Sequence, residues 1–273
     1  MNPIDRIPTS GLSLAAETFG FGHPLVFSHG LTDNRQQGRR LLAPLLGAFR
    51  LITFDQRGHG DSTPLTDPAL YDSHAMAADI AAVMDALQVP RAVVAGESMG
   101  SATALLCALR WPERVEKLLL IAPAFGDSPN PGGNIIKQLG RHLSTAQARE
   151  DYISSASHGE WEEAGFSSEA MACMASYYRS HHPASIGVAC EIVADWKILH
   201  SLDELAELRV PVHILAWDGD PVHPLALAQA MADLVPAARL TVIPSAATLF
   251  NDMELAGRTF AAFLTWESAP AGV

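Results

Sequence analysis

Gly96-Glu97-Ser98-Met99-Gly100 follows the apolar run Ala92-Val93-Val94-Ala95 and leads into Ser101-Ala102-Thr103-Ala104-Leu105-Leu106-Cys107. The pattern predicts a buried strand, a tight turn with a serine at its apex, then a helix. A serine held there stands proud of the backbone at a helix N-terminus, where N–H groups and the helix dipole favour developing negative charge. Glycines two positions to either side let the chain reverse without Cβ clashes. A bare G-x-S-x-G match is a weak signal; its placement between a strand and a helix gives it weight.

The surrounding pattern repeats this alternation. Leu12 to Phe19 reads as an opening antiparallel strand, Pro24 to Ser28 as a short apolar strand, and Leu51 to Phe54 and Val115 to Ala122 as further buried strands. Asn34 to Phe49 is expected to be helical, although Pro44 and Gly47 weaken it. A second helix is expected from an N-cap at Ser73, with Met76, Ile80, Val83, Met84 and Leu87 on one face and Val89-Pro90 as its stop. Strands apolar on both faces, alternating with helices, imply a mostly parallel sheet covered on two sides. The rhythm breaks between Phe125 and Glu207, where a Gly/Pro/Asn segment precedes helical stretches rich in Ala, Ser and His. About eighty structureless residues inside one domain would be unusual, so an inserted helical segment is expected. The alternation then resumes with a strand at Val210 to Trp217, a helix at Pro224 to Val235, a strand at Leu240 to Ile243 and a closing helix at Glu254 to Trp266.

Composition bounds the function. The 273 residues are 48% hydrophobic and 18% charged, with a formal net charge of −12, which argues against nucleic acid and anionic membrane surfaces as partners. No apolar run reaches the length of a membrane span, and Met1-Asn2-Pro3-Ile4-Asp5-Arg6 lacks the pattern of a secretory signal. Cys107, Cys173 and Cys190 sit in apolar helical stretches as expected of free buried thiols, so a cytoplasmic location is expected. No cysteine–histidine spacing suggests a zinc site, and neither a metal nor an organic cofactor is expected. Oligomeric state leaves no signature.

Two loops accompany the turn at Ser98. His29-Gly30-Leu31 ends the strand expected beside the elbow strand, and the N–H groups of Leu31 and Met99 are the expected oxyanion donors, with Gly30 beside them. Structural roles are expected for His29 and for His59 within Asp55-Gln56-Arg57-Gly58-His59-Gly60-Asp61-Ser62, where Asp55 and Arg57 could pair to hold the turn.

These segments together resemble the α/β-hydrolase superfamily, in its single-cap branch of esterases, lactonases, carbon–carbon bond hydrolases and haloperoxidase-like proteins. The resemblance implies an α/β fold with a mostly parallel eight-stranded sheet flanked by helices. It places the core at 1–124 and 207–273 and an inserted, non-independent helical cap at 125–206. It also implies a Ser, Asp/Glu, His triad in that chain order. Ser98 matches the nucleophile, and Asp220 in Trp217-Asp218-Gly219-Asp220-Pro221-Val222-His223-Pro224 matches the acid, with Asp218 as an alternative. The matching histidine should follow Ile243, but the loop Pro244-Ser245-Ala246-Ala247-Thr248-Leu249-Phe250 carries Thr248 there, and no histidine follows residue 223.

On this reading the ordered triad is incomplete, because a threonine hydroxyl cannot serve as a base near neutral pH. His223 could turn inward, although its position usually starts a helix; His158, His181 and His182 are the other candidates, each otherwise solvent-facing. Thr248 itself reads as natural divergence or as a substitution made to trap a ligand, and Ala247 and Leu249 favour the first. Three functions then compete for a small, partly apolar ester, lactone or other carbonyl compound. They are hydrolysis rescued by another histidine, a non-hydrolytic carbonyl reaction, and ligand binding without turnover. Phe125, Trp161, Phe166, Tyr177, Tyr178 and Trp196 supply apolar surface that could surround such a compound or simply pack.

Overall fold

The strand before the elbow, β5, is buried at all six positions from Ala92 to Glu97, because it lies inside a parallel sheet with helices on both faces. A computed structural model describes residues 4–265. The strands are β1 (Asp5–Thr9), β2 (Leu12–Phe19), β3 (His23–Ser28), β4 (Phe49–Phe54), β5, β6 (Val115–Ile121), β7 (Val212–Trp217) and β8 (Ala238–Ile243), in spatial order β1-β2-β4-β3-β5-β6-β7-β8. Only β2 runs against the rest, pairing antiparallel with β1 and β4. The register sets Ser28 beside Gly96, and Glu97 beside Ile121. The ends of β3 and β5 therefore release their loops side by side, which is where open α/β sheets place ligands.

Alternation along β5 divides the core. Val94 faces one hydrophobic cluster with Ile80, Val83 and Leu105, whereas Val93 and Ala95 face another with Phe260 and Phe263. The first cluster is covered by α2 (Ser73–Ala86) and α3 (Met99–Arg110), and the second by α1 (Gln36–Leu41) and α11 (Leu255–Leu264). Between β6 and β7 come α4 (Gly133–Leu143), α5 (Ala146–Ser157), α6 (Glu160–Glu163), α7 (Ser168–Ser180) and α8 (Pro183–Val193); α9 (Leu225–Leu234) and α10 (Ala246–Asn251) follow later. Ile136, Ile153 and Ile186 from this insertion join the first core cluster, so its helices share apolar surface with the sheet.

Several local expectations are corrected. β1 carries no alternating apolar signal and has no counterpart among the expected strands. The helix expected over Asn34 to Phe49 is α1 alone, followed by a 3-10 turn at Ala43–Leu45, and Phe49 already belongs to β4. Proline at position 44 lacks the N–H that would continue the helix. Asp72, not Ser73, caps α2, its carboxylate accepting from the Ala75 N–H at 2.8 Å. Asp55 and Arg57 do not pair. Asp55 accepts from the Arg35 backbone N–H at 2.7 Å and from its guanidinium, whereas Arg57 grips Asp79 through two bonds of 2.7 and 2.8 Å. Met1-Asn2-Pro3 of the N-terminal reading and Trp266, the anticipated end of the closing helix, lie outside the described residues.

Candidate active site

Ser98 sits between β5 and α3 at φ 52° and ψ −112°, a left-handed conformation that costs a non-glycine residue of order 1–3 kcal/mol. The surrounding bonds hold it there. Its N–H donates to the Ile121 carbonyl at 2.9 Å, and the Ser101 hydroxyl reaches both the Gly96 and Ile121 carbonyls at 2.8 and 2.7 Å. The two elbow glycines serve close approach, not positive φ. A Cβ on Gly96 would stand 2.0 Å from the Gly100 carbonyl oxygen, and one on Gly100 would stand 2.0 Å from that of Ser28.

The Ser98 hydroxyl meets an imidazole. His223 Nε2 lies 2.9 Å from Ser98 Oγ, and His223 Nδ1 lies 2.7 Å from Asp220 Oδ2. With its Nδ1 proton on the carboxylate, Nε2 is left as the acceptor for the serine proton. Of the four histidines considered as replacements, His223 is the one placed against Ser98: chain order Ser98, Asp220, His223 is preserved, with only two residues between acid and imidazole.

A local turn makes that possible. Asp220 Oδ1 accepts from the N–H groups of Val222 and His223 at 2.8 and 3.3 Å, folding the chain back on the carboxylate. Helix α9 starts only at Leu225, so residue 223 precedes the helix rather than opening it. The Trp217 indole N–H donates to Asp220 Oδ2 at 3.0 Å, and its ring meets that of His223 edge-on at 5.6 Å. Asn130, from the segment before α4, donates to the Val222 carbonyl at 2.8 Å and to that of Ala124 at 2.6 Å, pinning the turn to the end of β6. Burial alone would raise the Asp220 pKa. The bond and charge of His223, with the Trp217 and Val222 N–H groups, outweigh it and hold the carboxyl well below its usual range.

Thr248 is not bonded to Ser98, His223 or Asp220. The segment expected as a loop is the short helix α10, capped by Ser245, whose hydroxyl accepts from the Thr248 N–H at 3.3 Å. The Thr248 hydroxyl lies 3.3 Å from that of Ser245, while Ala246 and Phe250 of the same helix line the cavity over Ser98. Among the other histidines, His158 is exposed and bonded to the Ser154 carbonyl, and His182 is exposed. His181 is not solvent-facing: it is buried, bonds the Thr32 carbonyl at 2.9 Å and meets His59 edge-on.

Opposite His223 is the loop after β3. Among the described residues the Leu31 N–H donates to no protein acceptor, and Met99 opens α3, where an N–H precedes the helical ladder. The loop is braced from beneath. His29 Nε2 accepts from the Gln56 N–H at 2.9 Å, leaving Nδ1 to donate to the Gly30 carbonyl at 2.7 Å. His59 Nε2 reaches the Leu31 carbonyl at 2.8 Å. Burial drives both imidazoles below their ordinary pKa.

Ser98, Asp220 and His223 open onto a cavity of about 270 Å³. Phe125, Trp161, Phe166 and Tyr178 line it, together with Ile135, Leu139 and Met174 of the insertion. Tyr177 and Trp196 are buried elsewhere, the Trp196 indole donating to the Tyr71 carbonyl. Among the described residues no cluster of His, Cys, Asp and Glu could hold a metal ion, and no helix is long and apolar enough to cross a membrane.

Two carboxyls in this cavity were missed by sequence reasoning. Glu97, inside the elbow motif, and Asp33, two residues past Leu31, are 4% and 8% exposed. The signal was an acidic residue at the last position of an otherwise apolar strand. Burial pushes both carboxyls to raised pKa values, and the charge of nearby Asp33 raises that of Glu97 further. The folded chain thus keeps a proton that the unfolded chain releases, so the pair costs stability as pH rises above the ordinary carboxylate range. Asp33→Asn is expected to raise Tm at pH 8 by about 2–4 °C, corresponding to roughly 1 kcal/mol, and to leave it unchanged near pH 4. Thermal unfolding followed by circular dichroism checks this; a lower Tm at pH 8 would contradict it.

Comparison with known proteins bears on the fold. Residues 23–157 match a family described as alpha/beta hydrolase fold. The 3-oxoadipate enol-lactonase 2 of Acinetobacter baylyi is 25% identical over 244 residues, covering 88% of each chain. Among solved structures, an esterase from Thermogutta terrifontis superposes with a TM-score of 0.75 at 26% identity, covering 97% of both chains. A hydrolase from Pseudomonas aeruginosa reaches a TM-score of 0.81 at 21% identity, covering 96% of this chain and 98% of the other, a likeness of fold alone.

Proposed function

We propose that this chain, of which residues 23–157 match a family described as alpha/beta hydrolase fold, is a serine esterase or lactonase acting on small, partly apolar acyl compounds. The observation that carries this reading is the continuous relay from Ser98 Oγ through His223 to Asp220, at 2.9 and 2.7 Å. In this mechanism His223 Nε2 takes the hydroxyl proton as Ser98 Oγ bonds to the substrate carbonyl carbon. Asp220 fixes the imidazole tautomer and stabilises the imidazolium that forms. The N–H groups of Leu31 and Met99 receive the oxyanion. His223 then returns the proton to the leaving alkoxide, and water, deprotonated by the same nitrogen, releases the acid from the acyl-enzyme.

The cavity is slightly smaller than the usual range for ligand sites, which favours a short acyl or lactone substrate. The helical segment 125–206 acts as its cap, since it supplies eight of the nineteen lining residues, all aromatic or aliphatic. The curated lactonase and the esterase structure point to the same reaction class.

A fluorophosphonate probe tests the reading. Covalent labelling of the unmodified chain at Ser98, lost in Ser98→Ala, is the expected result. An unlabelled but folded chain that still binds small carbonyl compounds would replace catalysis with ligand binding.

A further inference from the structure

The chain treats its buried acids in two ways. Glu17, Asp55 and Asp79 are each paired with a buried arginine, Arg35 or Arg57. Glu97 and Asp33 are equally buried, yet among the described residues neither makes an ion pair. They are also close neighbours. A Cβ built on Gly30 would stand 2.0 Å from Glu97 Oε2 and 2.8 Å from Asp33 Oδ2, so both oxygens converge on the space that this glycine leaves open. Asp33 Oδ2 accepts one bond, from Gln37 Nε2 at 2.7 Å, while Glu97 Oε2 accepts no hydrogen bond of normal geometry and has the same Gln37 side chain as its polar neighbour.

A buried, unpartnered carboxylate oxygen is costly, and arginine removes that cost elsewhere in this molecule. Here both carboxyls line the cavity that holds Ser98 and His223, and no lysine or arginine lines it with them. Positive charge for the pair can come from a retained proton or, since no basic side chain lines the cavity, from its occupant. We propose that Glu97 and Asp33 form a subsite for a protonated primary amine, so that the preferred substrate is an ester or lactone carrying an ammonium group. This rests on the serine hydrolase reading of the same cavity.

The chemistry favours ammonium over hydroxyl. A primary ammonium has three donors and a full charge, enough to bond both cavity carboxyls, Glu97 and Asp33, at once, whereas a hydroxyl donates once. Trp161, Phe166 and Tyr178 offer aromatic surface in the same cavity, compatible with the carbon chain and with the flank of a cation.

Two measurements on the full chain test the subsite. The first compares 4-nitrophenyl esters of ω-amino acids, three to six carbons long, with methyl-terminated isosteres. At one chain length the ammonium ester is expected to exceed its isostere by about tenfold or more in kcat/KM. Glu97→Gln and, independently, Asp33→Asn are expected to reduce that ratio to about one or below. Turnover of the neutral esters without an ammonium preference at any length would overturn the subsite and leave the hydrolase reading standing.

The second measurement does not need turnover. Calorimetric titration with n-hexylammonium and with 1-hexanol should show tighter binding of the cation, and the difference should vanish in either variant. Equal binding of the two, or a preference unchanged by both substitutions, would mean that the carboxyls share a proton for purely structural ends.

Discussion

His223→Ala is expected to lower kcat for a short-chain ester by about 10⁴- to 10⁶-fold, the scale seen when a serine hydrolase loses its base. The residual rate would come from the oxyanion donors and from binding in the cavity. The fold should survive, because the half-buried His223 ring contributes one edge contact with Trp217 and two hydrogen bonds rather than core packing. Adding Thr248→His to the same variant is expected not to restore the rate. Residue 248 lies inside α10, its hydroxyl on Ser245, and does not line the cavity. Steady-state hydrolysis of a 4-nitrophenyl ester checks both variants. A His223→Ala enzyme within tenfold of the unmodified rate would remove His223 as the base, and recovery in the double variant would place the base on the other side of the site.

Gly100→Ala should unfold the elbow rather than merely slow it. The new methyl carbon would lie 2.0 Å from the Ser28 carbonyl oxygen and 2.7 Å from that of His29, both backbone atoms of the neighbouring strand end. Relief requires α3 to move away from β3, which separates Met99 from Leu31 and disrupts the oxyanion pair. A loss of about 3 kcal/mol or more is expected, with a Tm lower by roughly 6–12 °C and no fluorophosphonate labelling at 25 °C. Urea unfolding measures the first and the probe the second. A loss under about 0.5 kcal/mol would mean that the close approach of β3 and α3 is not what this glycine secures.

The fold was legible in the sequence because its signals are local and repeated. Apolar runs such as Ala92 to Ala95 and Leu118 to Ile121 read as two-sided strands, and the first leads directly into a helical period of apolar residues. The elbow was legible for the same reason: five consecutive residues carry it. Local boundaries were less so. Asp72 and Ser73 are both acceptable caps, and only the observed bond to the Ala75 N–H distinguishes them.

Partners distant in sequence were decided by tertiary structure. Asp55 and Arg57 are two residues apart and of opposite charge, yet the twist of the chain sends Asp55 to Arg35 and Arg57 to Asp79. The cavity carboxyls Glu97 and Asp33 are 64 positions apart, and the parallel pairing of β3 with β5 brings their loops together. The missing histidine is the clearest instance. Sequence alone supplied Ser98, Asp220 and the absence of any imidazole after residue 223. That His223 fills the place depended on a turn closed by Asp220 on its own downstream N–H groups, on Asn130 holding the Val222 carbonyl, and on α9 beginning two residues later. Side-chain identity is written locally, but the direction in which a loop residue points is set by bonds from segments nearly a hundred positions away.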